Sequence, residues 1–286
     1  MALPMSTVDE EFRDAFPAPV RRYAVCSPEH FAIGEEINPW MSRSNQPSRD
    51  CVQDQWSGLL RTLATLGAAV GVIPAVPDLT DMVFTRDSAI VLNGRAIRGR
   101  FRHRSRRPEA DHVMTWLGSV GCAPADFAMP SRALLEGGDV AVFGGRLLIG
   151  FGYRSNRAAH AAVSDGLGVT VHSLRLIDPR FYHLDTCFCP LDERHALIAA
   201  HAFDRASRRL LWELVPEPLE LRIEESLHLC ANAVVLDRTV VMPHCPPRLA
   251  TLLHDHGFEV RVVPVEEFKK SGGAVSCLTL PLDRCV

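Results

Sequence analysis

The sequence predicts an α/β fold of the repeat class, propeller-like, closed by one unit shared between the two ends of the chain. Three observations carry that expectation. A short apolar strand, a tight polar turn, a second strand, a helical stretch and a closing strand recur in the order ββαβ, at intervals of roughly 40 to 50 residues. The turns hold Asn93-Gly94 and Gly144-Gly145, pairs that adopt the positive φ of a tight hairpin at little cost. No proline-rich or polar linker divides the 286 residues, so a single catalytic domain over 1–286 is expected, residues 1–20 forming a polar tail. An ordinary α/β sandwich with hairpins is the alternative reading of the same pattern.

Taken in order, residues 22–26 read as a first strand, and Ile37-Asn-Pro-Trp-Met41 as a loop, because proline restricts the residue before it and stops regular structure. A helix is predicted over 50–66. The first full unit has strands at 88–92 and 95–97 around Asn93-Gly94, then a helix over 108–120. The second has strands at 139–143 and 146–150 around Gly144-Gly145, a helix over 156–167 and a strand at 169–174. A further copy starts at 186–191, turns at 192–194 and returns along 195–199. The clearest unit follows, with strands at 232–236 and 239–243, a helix over 247–256 and a strand at 258–263. The last copy requires a strand around Cys277 to join the one around Val25.

The stretch Ser271-Gly-Gly-Ala-Val-Ser-Cys277 suits a nucleophile. Its glycines let the backbone come close to a ligand, and the alternation of Val275, Cys277 and Thr279 predicts a strand that begins at the thiol. Asp87 in Phe84-Thr-Arg-Asp87, Glu136 in Leu135-Glu-Gly-Gly-Asp139 and His183 in Phe181-Tyr-His-Leu-Asp185 each precede the first strand of a unit. Closure of the repeat therefore brings cysteine, histidine and two carboxylates to one end of a central channel. That set can perform covalent catalysis on a cation: the thiolate attacks, the carboxylates hold the cation through charge-assisted hydrogen bonds, and the imidazole moves protons. Read one at a time, the same residues are a buried hydrophobe, turn-forming carboxylates and a core histidine.

Composition narrows the partners. A formal net charge of −3 gives no electrostatic footprint for nucleic acid or an anionic membrane, so a small molecule is expected. The run from Arg98 to Arg107, interleaved with Phe101, is read mainly as a solvated loop. No stretch approaches the roughly 18 to 20 apolar residues that span a bilayer, and the start lacks a basic-then-apolar leader. A cytoplasmic protein with nine reduced cysteines is expected. His183, Cys187 and Cys189 are a partial metal set without a fourth ligand, so no metal and no organic cofactor are expected. Self-association is left open.

These motifs resemble the guanidino-group-modifying enzymes, a family built on a five-bladed β/α propeller, and the likeness runs from Tyr23 to Leu282. The resemblance implies a pseudo-five-fold fold, with Cys277 as nucleophile, His183 as general acid and base, and Glu136 and Asp87 gripping the guanidinium. It further implies that Asp81 and Asn38 line the site and that Arg106 and Arg154 hold the substrate's carboxylate. Gly-Gly-Ala-Val-Ser-Cys277 is most similar to dimethylarginine dimethylaminohydrolases, Phe84-Thr-Arg-Asp87 to arginine deiminases, and the Ile37 loop to arginine dihydrolases. Citrulline formation from a methylated arginine or arginine is the expectation. Arginine deiminase, arginine dihydrolase, amidinotransferase and an inactive scaffold are the alternatives.

Overall fold

Each apolar run that meets a turn-forming pair becomes part of a three-stranded sheet in the computed structural model, which describes residues 21–285 and contains five such sheets. The polar tail expected over 1–20 lies outside the described residues. Strand β1 (Arg22–Cys26), helix α1 (Arg49–Thr65) and β2 (Ala69–Ile73) come first. Then follow β3 (Ala89–Leu92), β4 (Arg95–Arg98), α2 (Arg107–Ser119) and β5 (Ala123–Pro124). The next unit is β6 (Val140–Phe143), β7 (Arg146–Phe151), α3 (Arg157–Leu167) and β8 (Val171–Arg175). After it come β9 (Phe188–Pro190), β10 (His195–Ile198), α4 (Arg205–Leu214) and β11 (Glu217–Glu220). The last elements used here are β12 (Val234–Leu236), β13 (Thr239–Met242), α5 (Pro247–Asp255), β14 (Glu259–Val262) and β15 (Leu280–Pro281).

Every sheet repeats one topology. An antiparallel pair, a hairpin in four sheets and β15 with β1 in the fifth, is extended by a parallel third strand that returns after a helix, as in β12-β13-β14. The hairpins at Asn93-Gly94 and Gly144-Gly145 have positive φ at both central residues, as the sequence required. The helices cover the sheets through apolar stripes: Leu249 and Leu253 of α5 are fully buried with Val240 and Met242, each such leucine contributing about 1.5–3 kcal/mol by burial. Among the described residues no helix is long and apolar enough to cross a membrane.

Two expectations change. The fourth unit, which the sequence left incomplete, is finished by α4, capped by the Asp204 carboxylate accepting from Ser207 N, and by β11. The strand expected at Val275, Cys277 and Thr279 is a turn instead, with Leu278 N donating to Ala274 O and Thr279 N to Ser276 O. Side chains here are buried on all sides, so the alternation reflected complete burial and not a sheet with two faces. The expected pairing of chain ends does occur, through β15 antiparallel to β1 at Tyr23↔Pro281 and Ala24↔Leu280.

Candidate active site

Single 3-10 turns stand in front of the first strands of three units, and they carry three of the candidate residues. Asp87 lies within Thr85–Ser88, Glu136 caps Gly137–Asp139 and His183 caps Leu184–Thr186. The turns pack against one another so closely that a Cβ on Gly138 would sit 2.6 Å from Asp87 Oδ1 and 2.8 Å from His183 Nδ1. Only glycine fits there. The structure thus brings Asp87, Glu136, His183 and Cys277 into one buried cluster, each less than 5% exposed.

His183 sits between carboxylates, with Nε2 2.9 Å from Glu136 Oε2 and Nδ1 3.4 Å from Asp87 Oδ1. Burial opposes charge on the ring, yet Asp87, Glu136 and Asp139 outweigh it and push the His183 pKa up to about 9. Burial likewise opposes ionisation of Glu136, but Arg154, 3.1 Å away, and His183 hold its carboxyl well below the usual range. At neutral pH this histidine is an imidazolium paired with a carboxylate, the form that can donate a proton.

Cys277 has the opposite bias. Burial and then the charges of Asp185 and Asp87 push its pKa well above the ordinary thiol value. The Sγ–H donates to Asp185 Oδ2 at 3.4 Å, and Asn232 Nδ2 donates to Sγ at 3.1 Å. A bound cation would reverse this bias. Three carboxylate oxygens of the region, Asp81 Oδ1, Asp87 Oδ1 and Asp185 Oδ1, are buried without a hydrogen-bond partner among the described residues. Burial also raises the pKa of Asp81 and of Asp185.

At the mouth, Arg154 donates to Ile37 O and stacks 4.6 Å over the Tyr182 ring, lining a cavity of about 190 Å³ together with Asn38, His103 and Tyr182. Asn38 Nδ2 donates to Ser271 O and Tyr182 OH to Gly272 O, so the loop before Cys277 is tied to this wall. Arg106 is placed differently from expectation. Its guanidinium is committed to Glu109 on Nε and Nη2, to Asp87 Oδ2 at 2.8 Å and to Asp81 O, which leaves one Nη1–H. The rest of the arginine run is solvated as expected, with Arg98, Arg102, Arg104 and Arg107 exposed; Arg98 pairs with Asp111 at the surface, and half-buried Arg100 donates to the carbonyls of Met129 and Pro130.

Sequence reasoning missed three residues. Asn232 holds the Cys277 turn together, since its Oδ1 accepts from both Ala274 N and Cys277 N. It stands just before β12, the position that Asp87, Glu136 and His183 occupy in their own units, so the repeat register was the available signal. Asp185 bonds the thiol and pairs with Arg86 Nε at 3.2 Å. Asp139, its pKa pushed up to about 7 by burial, accepts from Leu184 N and Ser155 N and locks two of the turns together. Asp87, Glu136 and His183 offer atoms within 4.8 Å of one another, as a metal site would, but Arg106 and Arg154 already supply the countercharge. Cys187 and Cys189 donate to Leu184 O and Ala233 O, and among the described residues they form no ligand cluster with His183.

No family model matches the chain. Individual proteins do. It is 36% identical over 263 residues to the N(G),N(G)-dimethylarginine dimethylaminohydrolase of Mycobacterium tuberculosis, which covers 92% of this chain and 86% of that protein. It is 35% identical over 265 residues to the bifunctional arginine dihydrolase/ornithine cyclodeaminase ArgZ of Synechocystis, where it spans 91% of this chain and only 37% of the larger protein. The solved N-terminal domain of ArgZ bound to product superposes with a TM-score of 0.88 at 33% identity, covering 93% of this chain and 98% of that domain. Identity and coverage at this level show that the chain belongs to the dimethylarginine dimethylaminohydrolase family of guanidino-group-modifying enzymes.

Proposed function

We propose that this protein is a hydrolase that cleaves a C–N bond of the guanidino group of an N-methylated arginine, or of arginine, and releases an amine and citrulline through a covalent thiouronium on Cys277. One observation carries the reading: carboxylate oxygens on Asp81 and Asp185 that have no hydrogen-bond partner, and one on Asp87 that meets only His183 Nδ1 at 3.4 Å, belong to the region of a buried, protonated thiol. Buried acceptors without donors are costly, and a guanidinium supplies planar N–H donors and a positive charge together.

The same charge starts the chemistry. A bound guanidinium lowers the thiol pKa, and the S–H proton passes to Asp185, whose raised pKa makes it a competent acceptor. Sγ bonds to the guanidino carbon, and the tetrahedral adduct expels the amine as His183 delivers its proton. His183, now neutral, takes a proton from water; the hydroxyl bonds to the thiouronium carbon, and the C–S bond breaks to give citrulline, with Asp185 returning its proton to the Cys277 thiolate and the hydroxyl proton leaving on the released amine. Glu136 orients the imidazole and stabilises its charged form. Arg154, with Asn38 beside it, takes the α-carboxylate at the mouth; Arg106 aims Asp87 and offers that carboxylate its remaining N–H.

Asp87 favours a single hydrolysis. A full anion matches a cationic guanidinium better than a neutral ureido group, so citrulline leaves. Likeness to the ArgZ domain supports a second reading, arginine dihydrolase. The five sheets are read as blades of a pseudo-five-fold propeller in a single catalytic domain, with the site at one end of its channel. The nine free cysteines support a cytoplasmic setting.

Incubation with dimethylarginine, monomethylarginine, arginine and agmatine, with products identified by mass spectrometry, tests the proposal. Citrulline plus one amine is expected, fastest from a methylated arginine, and a haloacetamidine should label Cys277. Ornithine with two equivalents of ammonia makes the enzyme a dihydrolase. Silence on every guanidine, or labelling chiefly at Cys230 or Cys187, overturns the reading.

A further inference from the structure

We propose that His195, Glu217 and His256 form a structural zinc site at the turn end of the fourth sheet, opposite the end that carries His183. His195 and Glu217 face each other in register at the starts of the paired parallel strands β10 and β11. His256 follows α5, in the next unit. One ligand atom from each of the three lies within 4.8 Å of the others. An ion held there would tie β10 and β11 to the segment that follows α5.

The hydrogen bonds around the cluster prepare both histidines as ligands. A backbone carbonyl only accepts, so His256 Nδ1, 2.8 Å from Leu252 O, carries a proton and leaves Nε2 with its lone pair. His195 Nδ1 lies 2.9 and 3.0 Å from the two Asp192 oxygens, which also only accept. Its Nε2 then faces Glu217 Oε2 at 2.9 Å, an arrangement that requires either a second proton on the ring or a cation shared with the carboxylate. A carboxylate or carbonyl on the far nitrogen is the usual outer partner of a metal-bound imidazole.

The carboxylates are anchored too. Arg194 takes Glu217 Oε1 through Nε and Nη2, at 3.0 and 2.6 Å, leaving Oε2 toward the histidines. Arg238 takes Asp192 Oδ2 at 2.9 Å, donates to Gly257 O and stacks 4.0 Å over the Phe258 ring. These two arginines balance the two carboxylates, so the site attracts a cation by its donor atoms and not by excess negative charge. Two imidazoles and one carboxylate suit zinc, with water as fourth ligand, whereas calcium and magnesium require more oxygens. Zinc–ligand bonds of about 2.0–2.2 Å put neighbouring ligand atoms about 3.4 Å apart, within the spread found here.

The test titrates chelator-treated protein with zinc chloride, by calorimetry and by melting temperature, in the wild type and in His256→Gln, Glu217→Gln and Asp192→Asn, with circular dichroism as a check of folding. Zinc bound by thiols elsewhere is common to all four proteins and cancels in the difference. The wild type should bind one more zinc than His256→Gln or Glu217→Gln, or bind it at least tenfold more tightly, and Asp192→Asn should weaken it about 10- to 100-fold. Zinc at a hundredfold excess over Kd should raise the wild-type melting temperature by about 5 °C. Absence of saturable binding in the wild type, or equal stoichiometry, affinity and melting shift in all four proteins, overturns the site.

Discussion

Two histidines of this protein stand between pairs of carboxylates, and the pairs differ in almost nothing but depth. His183 and His195 both place Nε2 2.9 Å from a glutamate, Glu136 and Glu217 respectively, and both turn Nδ1 toward an aspartate. The His183, Glu136 and Asp87 side chains are 0%, 0% and 4% exposed, whereas those of His195, Asp192 and Glu217 are 11%, 28% and 38% exposed. Without water to screen them, the charges around His183 act at short range and low dielectric and shift its proton affinity. Arginines pair with the carboxylates at both sites, but around His195 solvent reaches the carboxylates and screens them. The same pairing thus gives a fully buried imidazole with a raised proton affinity at one end of the sheets and a partly solvated one at the other.

The largest break in the comparison should come from His183→Asn, which is expected to lower turnover about 10²- to 10⁴-fold in a citrulline-release assay. His195→Asn should register as a melting temperature lower by about 2–4 °C. If both substitutions act on turnover alike, depth is not what separates them.

Next in size is Gly138→Ala. The added methyl would push Asp87 and His183 apart, and a displacement of that order is expected to cost about 10- to 100-fold in kcat with the fold retained. Full activity in this variant would show that the three turns are not rigidly packed.

The smallest effect is a shift in pH. The His183 pKa is raised from 6.5 to about 9 on folding, so the stability it contributes is present in full below about pH 6.5 and is lost as pH rises through 9. Glu136→Gln removes one of the anions responsible. The alkaline limb of the kcat/KM profile should fall by at least about one pH unit, and the decline of melting temperature between pH 6.5 and 9 should flatten. An unmoved limb would assign it to another group.

What the sequence revealed was local. Apolar runs, the turns at Asn93 and Gly144, and the helix ahead of Gly168 depend on neighbouring residues, and their element types agree with the structure. The turn that carries Cys277 does not: its cause is Asn232, 45 positions away in sequence, whose carbonyl gathers two amides. The strand expected over 232–236 absorbed Asn232, which concealed a role visible only once the repeats are aligned. The internal partners of Arg106 were hidden for a related reason. Its partner Glu109, with a pKa pushed up to about 8 by burial, lies on the inner face of a helix whose orientation short-range pattern does not fix. β11 went unpredicted because Glu217-Pro-Leu-Glu lacks an apolar run, and an edge strand needs none.

The pairing of β15 with β1 bears on the order in which the enzyme is made. Arg22 N meets Asp283 Oδ2 across 261 positions, so the first strand has no hairpin partner until nearly the whole chain has left the ribosome. The other four sheets draw their strands from contiguous stretches and can form during synthesis. Cys277 follows Asp87, Glu136 and His183 in the chain and just precedes β15, so the buried cluster acquires its thiol together with the strand that pairs with β1.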